Sequence, residues 1–192
     1  MKLIAHKINT IDELNAVPKD YGVEIDLRMG VEGKIILSHD PISDIETTLY
    51  EYLDKFDHAF IIANIKESGI EEEVINIISK KTENFFLLDI EIPFVTKNYS
   101  KYKKFLSVRY SEFESIQTVL NFTEMVDWVW IDTFNILPHL GSELNSFKTC
   151  LVSPDRWGRA NDIAPYLESI NNCEVDVTAV MSDILFLNKW VK

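Results

Sequence analysis

Residues 22–41 read GVEIDLRMGVEGKIILSHDP, and the fold turns on them. Positions 23–27 are strand formers that carry two carboxylates two residues apart, Glu24 and Asp26. Side chains alternate along a strand, so Glu24, Asp26 and Arg28 share one face while Val23, Ile25 and Leu27 share the other. A solvated antiparallel strand alternates in the same way. The continuation argues for more than that. Gly30 and Gly33 flank a turn, residues 34–37 form a second strand, and that strand delivers Ser38-His39-Asp40-Pro41. Two carboxylates and a histidine thereby enter one small volume.

On either side, strands and helices alternate. Residues 3–8 read as a first strand, and Thr10-Ile11-Asp12-Glu13 is a capping box that opens a first helix. Ser43-Asp44-Ile45-Glu46 is a second capping box, and 45–56 reads as a helix with Leu49, Tyr52, Leu53 and Phe56 on one face. Further strands fall at 59–66, 85–91, 105–110, 128–134, 149–153 and 175–181. Helices fall at 70–81, 95–104, 115–125, 140–147, 161–170 and 183–192. Strict alternation implies a parallel sheet with right-handed crossovers. Eight strand–helix units are the count at which such a sheet closes. The expected fold is therefore α/β: a compact single-domain (β/α)8 TIM barrel over residues 1–192, with a short hairpin inserted after the second strand. A doubly wound open sheet is the alternative, but its Gly-rich first turn is missing from His6-Lys7-Ile8-Asn9-Thr10.

Composition narrows the function. The chain has 192 residues, 46% of them hydrophobic and 26% charged, with a formal net charge of -12. That charge disfavours nucleic acid and anionic membranes as partners, which need a basic footprint. Cys150 and Cys173 lack metal-ligand spacing and read as buried free thiols. No signal-peptide core and no membrane-spanning run is visible, so a cytoplasmic location is expected. Trp190 near the C-terminus suits a subunit contact or packing on its own barrel, and the oligomeric state stays open.

In a barrel of this kind, chemistry gathers at the C-terminal ends of the strands. Those ends carry His6; Glu24, Asp26 and Arg28; Asn64 and Lys66; Asp89 and Glu91; Ser107 and Arg109; Asp132; Ser153, Asp155 and Arg156; Ser182 and Asp183. Part of this set is expected to be a buried ion-pair network, Asp132 and Ser107 above all. His58 and His139 are read as structural or surface residues. Glu24 and Asp26 with a third oxygen ligand suit a hard cation, Mg2+ or Ca2+. No Cys or paired His accompanies them to suit a soft one. His6 and His39 come from different strands and suit an acid–base pair. Lys66 and Arg28 suit phosphate oxygens.

These residues resemble the glycerophosphodiester phosphodiesterase family, part of the wider phosphatidylinositol-phospholipase-C-like phosphodiesterase group of TIM barrels. The runs that carry the resemblance are Ala5-His6-Lys7, Glu24-Ile25-Asp26-Leu27-Arg28, Leu37-Ser38-His39-Asp40 and Asn64-Ile65-Lys66, with 176–183 similar to the family's last strand. The resemblance implies metal-assisted hydrolysis of a small-molecule phosphodiester. His6 and His39 would be the catalytic pair, Glu24, Asp26 and Asn64 the ligands of a divalent cation, and Lys66 a phosphate contact. Lys7, Arg28, Arg109, Arg156 and Trp157 complete the expected substrate-binding set.

Three departures stand out. Lys7 replaces the family's arginine and loses its bidentate fork. Asn64 replaces an acidic ligand on strand three, so the site holds one negative charge fewer, and Asp89 or Glu91 could compensate. Ser153-Pro154-Asp155-Arg156-Trp157-Gly158-Arg159 stands where the family has a Trp-Thr stretch, and Trp157 reads equally as an apolar wall for substrate or a surface cap. Two other readings stay open: a non-catalytic relative that binds a phosphorylated ligand, and a TIM-barrel enzyme that moves protons on a sugar phosphate with Glu24 or Glu91 as base.

Overall fold

The computed structural model describes residues 1–41 and 47–191, with the backbone alone at Glu32. Among the described residues, nine strands form one sheet. They are β1 Lys2–Ala5, β2 Gly22–Met29, β3 Ile35–Leu37, β4 Phe60–Ile65, β5 Phe85–Leu88, β6 Ser107–Tyr110, β7 Trp128–Ile131, β8 Lys148–Val152 and β9 Ala179–Ser182. The order is β5-β4-β2-β1-β9-β8-β7-β6, with β3 paired to β2. Every pairing is parallel except the β2–β3 hairpin. Eight parallel strands thus roll into a nearly closed barrel, as the alternation predicts.

No ladder joins β5 to β6, and side chains close that seam instead. Phe85 stacks on Phe105 at 4.1 Å, the Ser107 hydroxyl donates to the Leu87 carbonyl at 2.6 Å, and Arg109 bonds Asp89 at 2.7 Å.

Helices α1 Ile11–Ala16, α2 Leu49–Lys55, α3 Glu71–Ile78, α4 Ile92–Tyr102, α5 Ile116–Leu120 and α6 Ile163–Asn172 cover the outside. Both faces of the strands are buried. Val23, Ile25, Leu27, Ile61, Ala63 and Leu87 pack outward against helix residues such as Leu14, Tyr52, Val74 and Ile78. Ile4, Phe60, Ile62, Phe86, Trp128, Trp130, Cys150 and Met181 fill the barrel interior, with Phe86 and Trp128 stacked at 4.6 Å. At the lower end of β2 only glycine fits. A Cβ on Gly22 would lie 2.5 Å from Ile4 Cδ1 and 2.9 Å from the Phe60 backbone.

Several boundaries differ from the sequence reading. The first strand stops at Ala5, because Lys7 adopts a left-handed backbone, φ 55°. The capping box 43–46 lies outside the described residues; α2 is capped instead by Thr48 and Glu51 in reciprocal bonds. The expected helices at 140–147 and 183–192 are short 3-10 turns, Ser142–Ser146 and Leu187–Trp190. In the first, the Leu144 and Phe147 amides bond carbonyls three residues back rather than four. Trp190 is buried and donates its indole N–H to Ser153 Oγ at 3.0 Å, so it packs on its own barrel. Both thiols are free; Cys150 is buried and Cys173 half-buried. Among the described residues, no helix is long and apolar enough to cross a membrane.

Candidate functional site

The polar face of β2 points into the upper barrel. Register pairs Asp26 with Asn64 on β4, which gathers Glu24, Asp26 and Asn64 at one level of the mouth. Glu24 and Asp26 are only 1% and 2% exposed. Buried carboxylates need donors, and each oxygen has one. Glu24 Oε1 accepts from Asn64 Nδ2 at 2.8 Å and Oε2 from the Lys7 backbone N–H at 2.8 Å. Asp26 Oδ2 accepts from Asn9 Nδ2 at 2.8 Å, and Oδ1 lies 3.3 Å from Lys66 Nζ. Lys66 also reaches toward Asp89, at 3.9 Å.

His6 Nε2 lies 3.8 Å from Glu24 Oε2. Burial, then the nearby Arg156 charge, lowers the His6 pKa to about 4, so the ring is neutral at pH 7. Burial, then the Asp26 charge, raises Glu24 to about 7. The left-handed Lys7 turns its N–H onto Glu24, and Asp89, φ 58°, is strained in the same way at the end of β5. Non-glycine residues held there cost energy and concentrate at functional sites.

His39 leaves β3 beside this cluster. Its ring is half-exposed and its Nδ1 pairs with Asp40 Oδ1 at 2.9 Å. It shares no hydrogen bond or ion pair with His6; its partner is Asp40, while the nearest carboxylate to the His6 ring is Glu24. Arg28 fixes the loop, donating to the His39 carbonyl from Nε and Nη2 at 3.2 and 3.1 Å and to the Lys66 carbonyl at 3.0 Å. All three of its guanidinium nitrogens therefore donate to backbone carbonyls.

A cavity of about 190 Å³ opens at the mouth, lined by His6, Asn64, Asp89, Arg109, Asp132, Arg156 and Trp157 among others. Arg109 is held by three carboxylates: Asp89, Asp132 at 3.1 Å and Glu114 at 3.5 Å. Trp157 donates its indole N–H to Asp132 at 2.8 Å. Arg156 lies 3.8 Å from Asp183. The structure therefore gathers His6 and Asn64 around Glu24 and Lys66 beside Asp26, lines the cavity wall with Arg109, Arg156 and Trp157, and leaves His39 and the exposed Lys7 side chain at the rim. Asp132 and Ser107 serve the structural network expected of them. His58 is buried against the Val17 carbonyl, and His139 is a surface residue beside Glu143.

Asn9 was not anticipated. Its carboxamide grips Asp26 twice, on the carboxylate and on the backbone N–H at 2.9 Å. It precedes a capping box in a short loop, a place where sequence periodicity says nothing.

Among the described residues, no group of three or more His, Cys, Asp or Glu side chains is placed to hold a metal. The set Glu24, Asp26 and Asn64 still fits a hard cation. Asn64 Oδ1 is buried without a hydrogen-bond partner, beside the buried carboxylates of Glu24 and Asp26.

No protein-family model matches the sequence, and no curated protein matches it. Solved structures do match its fold. A glycerophosphodiester phosphodiesterase from Agrobacterium tumefaciens superposes with a TM-score of 0.70 at 13% identity, over 97% of this chain and 99% of that one. Two from Parabacteroides distasonis superpose with TM-scores of 0.63 and 0.64, each at 13% identity. They cover 100% and 98% of this chain, and 98% and 85% of their own.

Proposed function

We propose that the protein is a metal-dependent phosphodiester hydrolase of the glycerophosphodiester phosphodiesterase type. One observation carries the reading. His6 and Asn64 flank Glu24, and Lys66 pairs with Asp26 two residues along the same face of β2, on a fold shared with enzymes of that name.

Glu24, Asp26 and, after rotation of its amide, Asn64 Oδ1 would hold Mg2+ or Ca2+. When bound, the ion supplies polarisation of the phosphoryl oxygens. The rest falls to the chain itself. His6 takes the proton of the attacking hydroxyl, a neighbouring one on the substrate's alcohol, as that oxygen bonds to phosphorus. The P–O bond to the leaving alcohol breaks, and His39 donates a proton to that oxygen. Water then opens the cyclic ester with the two roles reversed, which restores both rings. Lys66 and Arg156 offset charge on the phosphoryl oxygens, and Arg28 positions the His39 loop.

The test is hydrolysis of bis(p-nitrophenyl) phosphate and glycerophosphocholine with Mg2+ or Ca2+. Turnover that needs the ion and is lost in His6→Ala supports the reading. No turnover on either substrate with any divalent ion moves the assignment to a phosphate-binding relative.

A further inference from the structure

The loops after β6, β7 and β8 carry a row of aromatic rings across the rim. Trp157 lines the cavity beside His6 and Arg156. Its ring lies 4.4 Å from Phe134, which lies 5.6 Å from Phe113. The row runs outward from the cavity over three strands adjacent in the barrel.

Its inner part is fixed. Trp157 is tied to Asp132 through its indole N–H, and the Phe134 backbone N–H donates to Glu112 at 2.7 Å. Its face is open: Trp157 is 45% exposed and Phe113 77%. Scattered surface apolar residues need no explanation, but a contiguous group beside a cavity does. Here the bias is general. Of the twelve exposed large apolar side chains among the described residues, seven stand in loops that leave the C-terminal ends of strands, Ile136, Leu137, Ile184 and Leu185 among them.

We propose that the site takes an amphiphilic phosphodiester, one bearing an alkyl or acyl chain. The phosphate occupies the polar cavity, and the chain lies across Trp157, Phe134 and Phe113. Pre-ordered rings gain contact with a chain at little entropic cost. A polar alcohol small enough for the cavity alone leaves the row in water. The formal charge of -12 and the rim carboxylates Glu112, Glu114 and Asp183 oppose an anionic aggregate, so the ligand is zwitterionic or neutral outside its phosphate. The fate of the phosphate rests on the hydrolase reading; the chain subsite rests on the rings.

The test is binding of n-alkylphosphocholines of increasing chain length, below their critical micelle concentrations, followed by calorimetry. Affinity is expected to rise about twofold per methylene, half the effect of full burial, and to fall about tenfold in Phe113→Ser. That exposed substitution leaves the core intact. Co-sedimentation with phosphatidylcholine vesicles separates a chain drawn from a lipid surface from one taken free in solution; either source supports the subsite. Affinity independent of chain length, or unchanged in Phe113→Ser, overturns it. A dimer that Phe113→Ser dissociates also overturns it, since a second copy would then cover the row. Turnover of bis(p-nitrophenyl) phosphate is scored separately. Chain-dependent binding without turnover sinks the hydrolase reading alone; turnover without chain dependence sinks the subsite alone.

Discussion

The Ser107 hydroxyl donates to the Leu87 carbonyl at 2.6 Å, across the one pair of neighbouring barrel strands that shares no ladder. A side chain here performs a bond that backbone performs everywhere else around the barrel. Ser107→Ala removes the donor and keeps the volume. The expected loss is about 1–2 kcal/mol, on the order of 4 °C in Tm, read by thermal unfolding. An unchanged Tm means that Phe85–Phe105 and Arg109–Asp89 close the seam without it.

Asn64→Asp sets a third carboxylate beside Glu24 and Asp26. Without a divalent ion the variant is expected to lose about 3 kcal/mol, on the order of 10 °C in Tm, because the added charge is buried among like charges. Saturating Ca2+ or Mg2+ should raise its Tm by more than it raises the wild type's. Equal shifts in the two proteins would place the ion elsewhere or nowhere.

Arg28→Lys keeps the charge but not the fork that holds the His39 carbonyl. The Ser38 amide, bonded to the Asp26 carbonyl at 2.9 Å, should then exchange with solvent about tenfold faster, while global stability changes by less than about 1 kcal/mol. Unaltered exchange would leave Arg28 free for a phosphate.

His58 lies buried with its Nε2 on the Val17 carbonyl at 3.0 Å. Burial, the leading cause, holds its pKa below the usual 6.5. Between the folded and unfolded values the unfolded chain binds more protons, so stability rises with pH. The His58 contribution is complete above about pH 6.5 and is lost as pH falls through the folded value. Urea midpoints of wild type and His58→Gln, compared from pH 7.5 to 5, should show the smaller acid loss in the variant. Parallel curves would mean that His58 titrates alike in both states.

The barrel was legible because strand-like and helix-like runs alternate along the chain, even where two of the helices proved to be 3-10 turns, and the mouth because strand ends carry polar residues in register. Thr10–Glu13 forms the predicted capping box. The Thr48–Glu51 box went unseen because another S-x-x-E pattern lies just upstream. Arg28 and Arg109 illustrate what sequence does not show: which backbone carbonyls and carboxylates a cation at a strand end meets in the fold. Asn9 and the aromatic row are set by how loops from separate strands meet, and no local pattern encodes that.

In strand order, β5 and β6 are the two margins of a rolled sheet. Each hides the other's unpaired backbone from foreign strands. A lesion that parts them bares two sticky templates at once. Self-association on storage, more than a fall in heat resistance, would be its earliest sign.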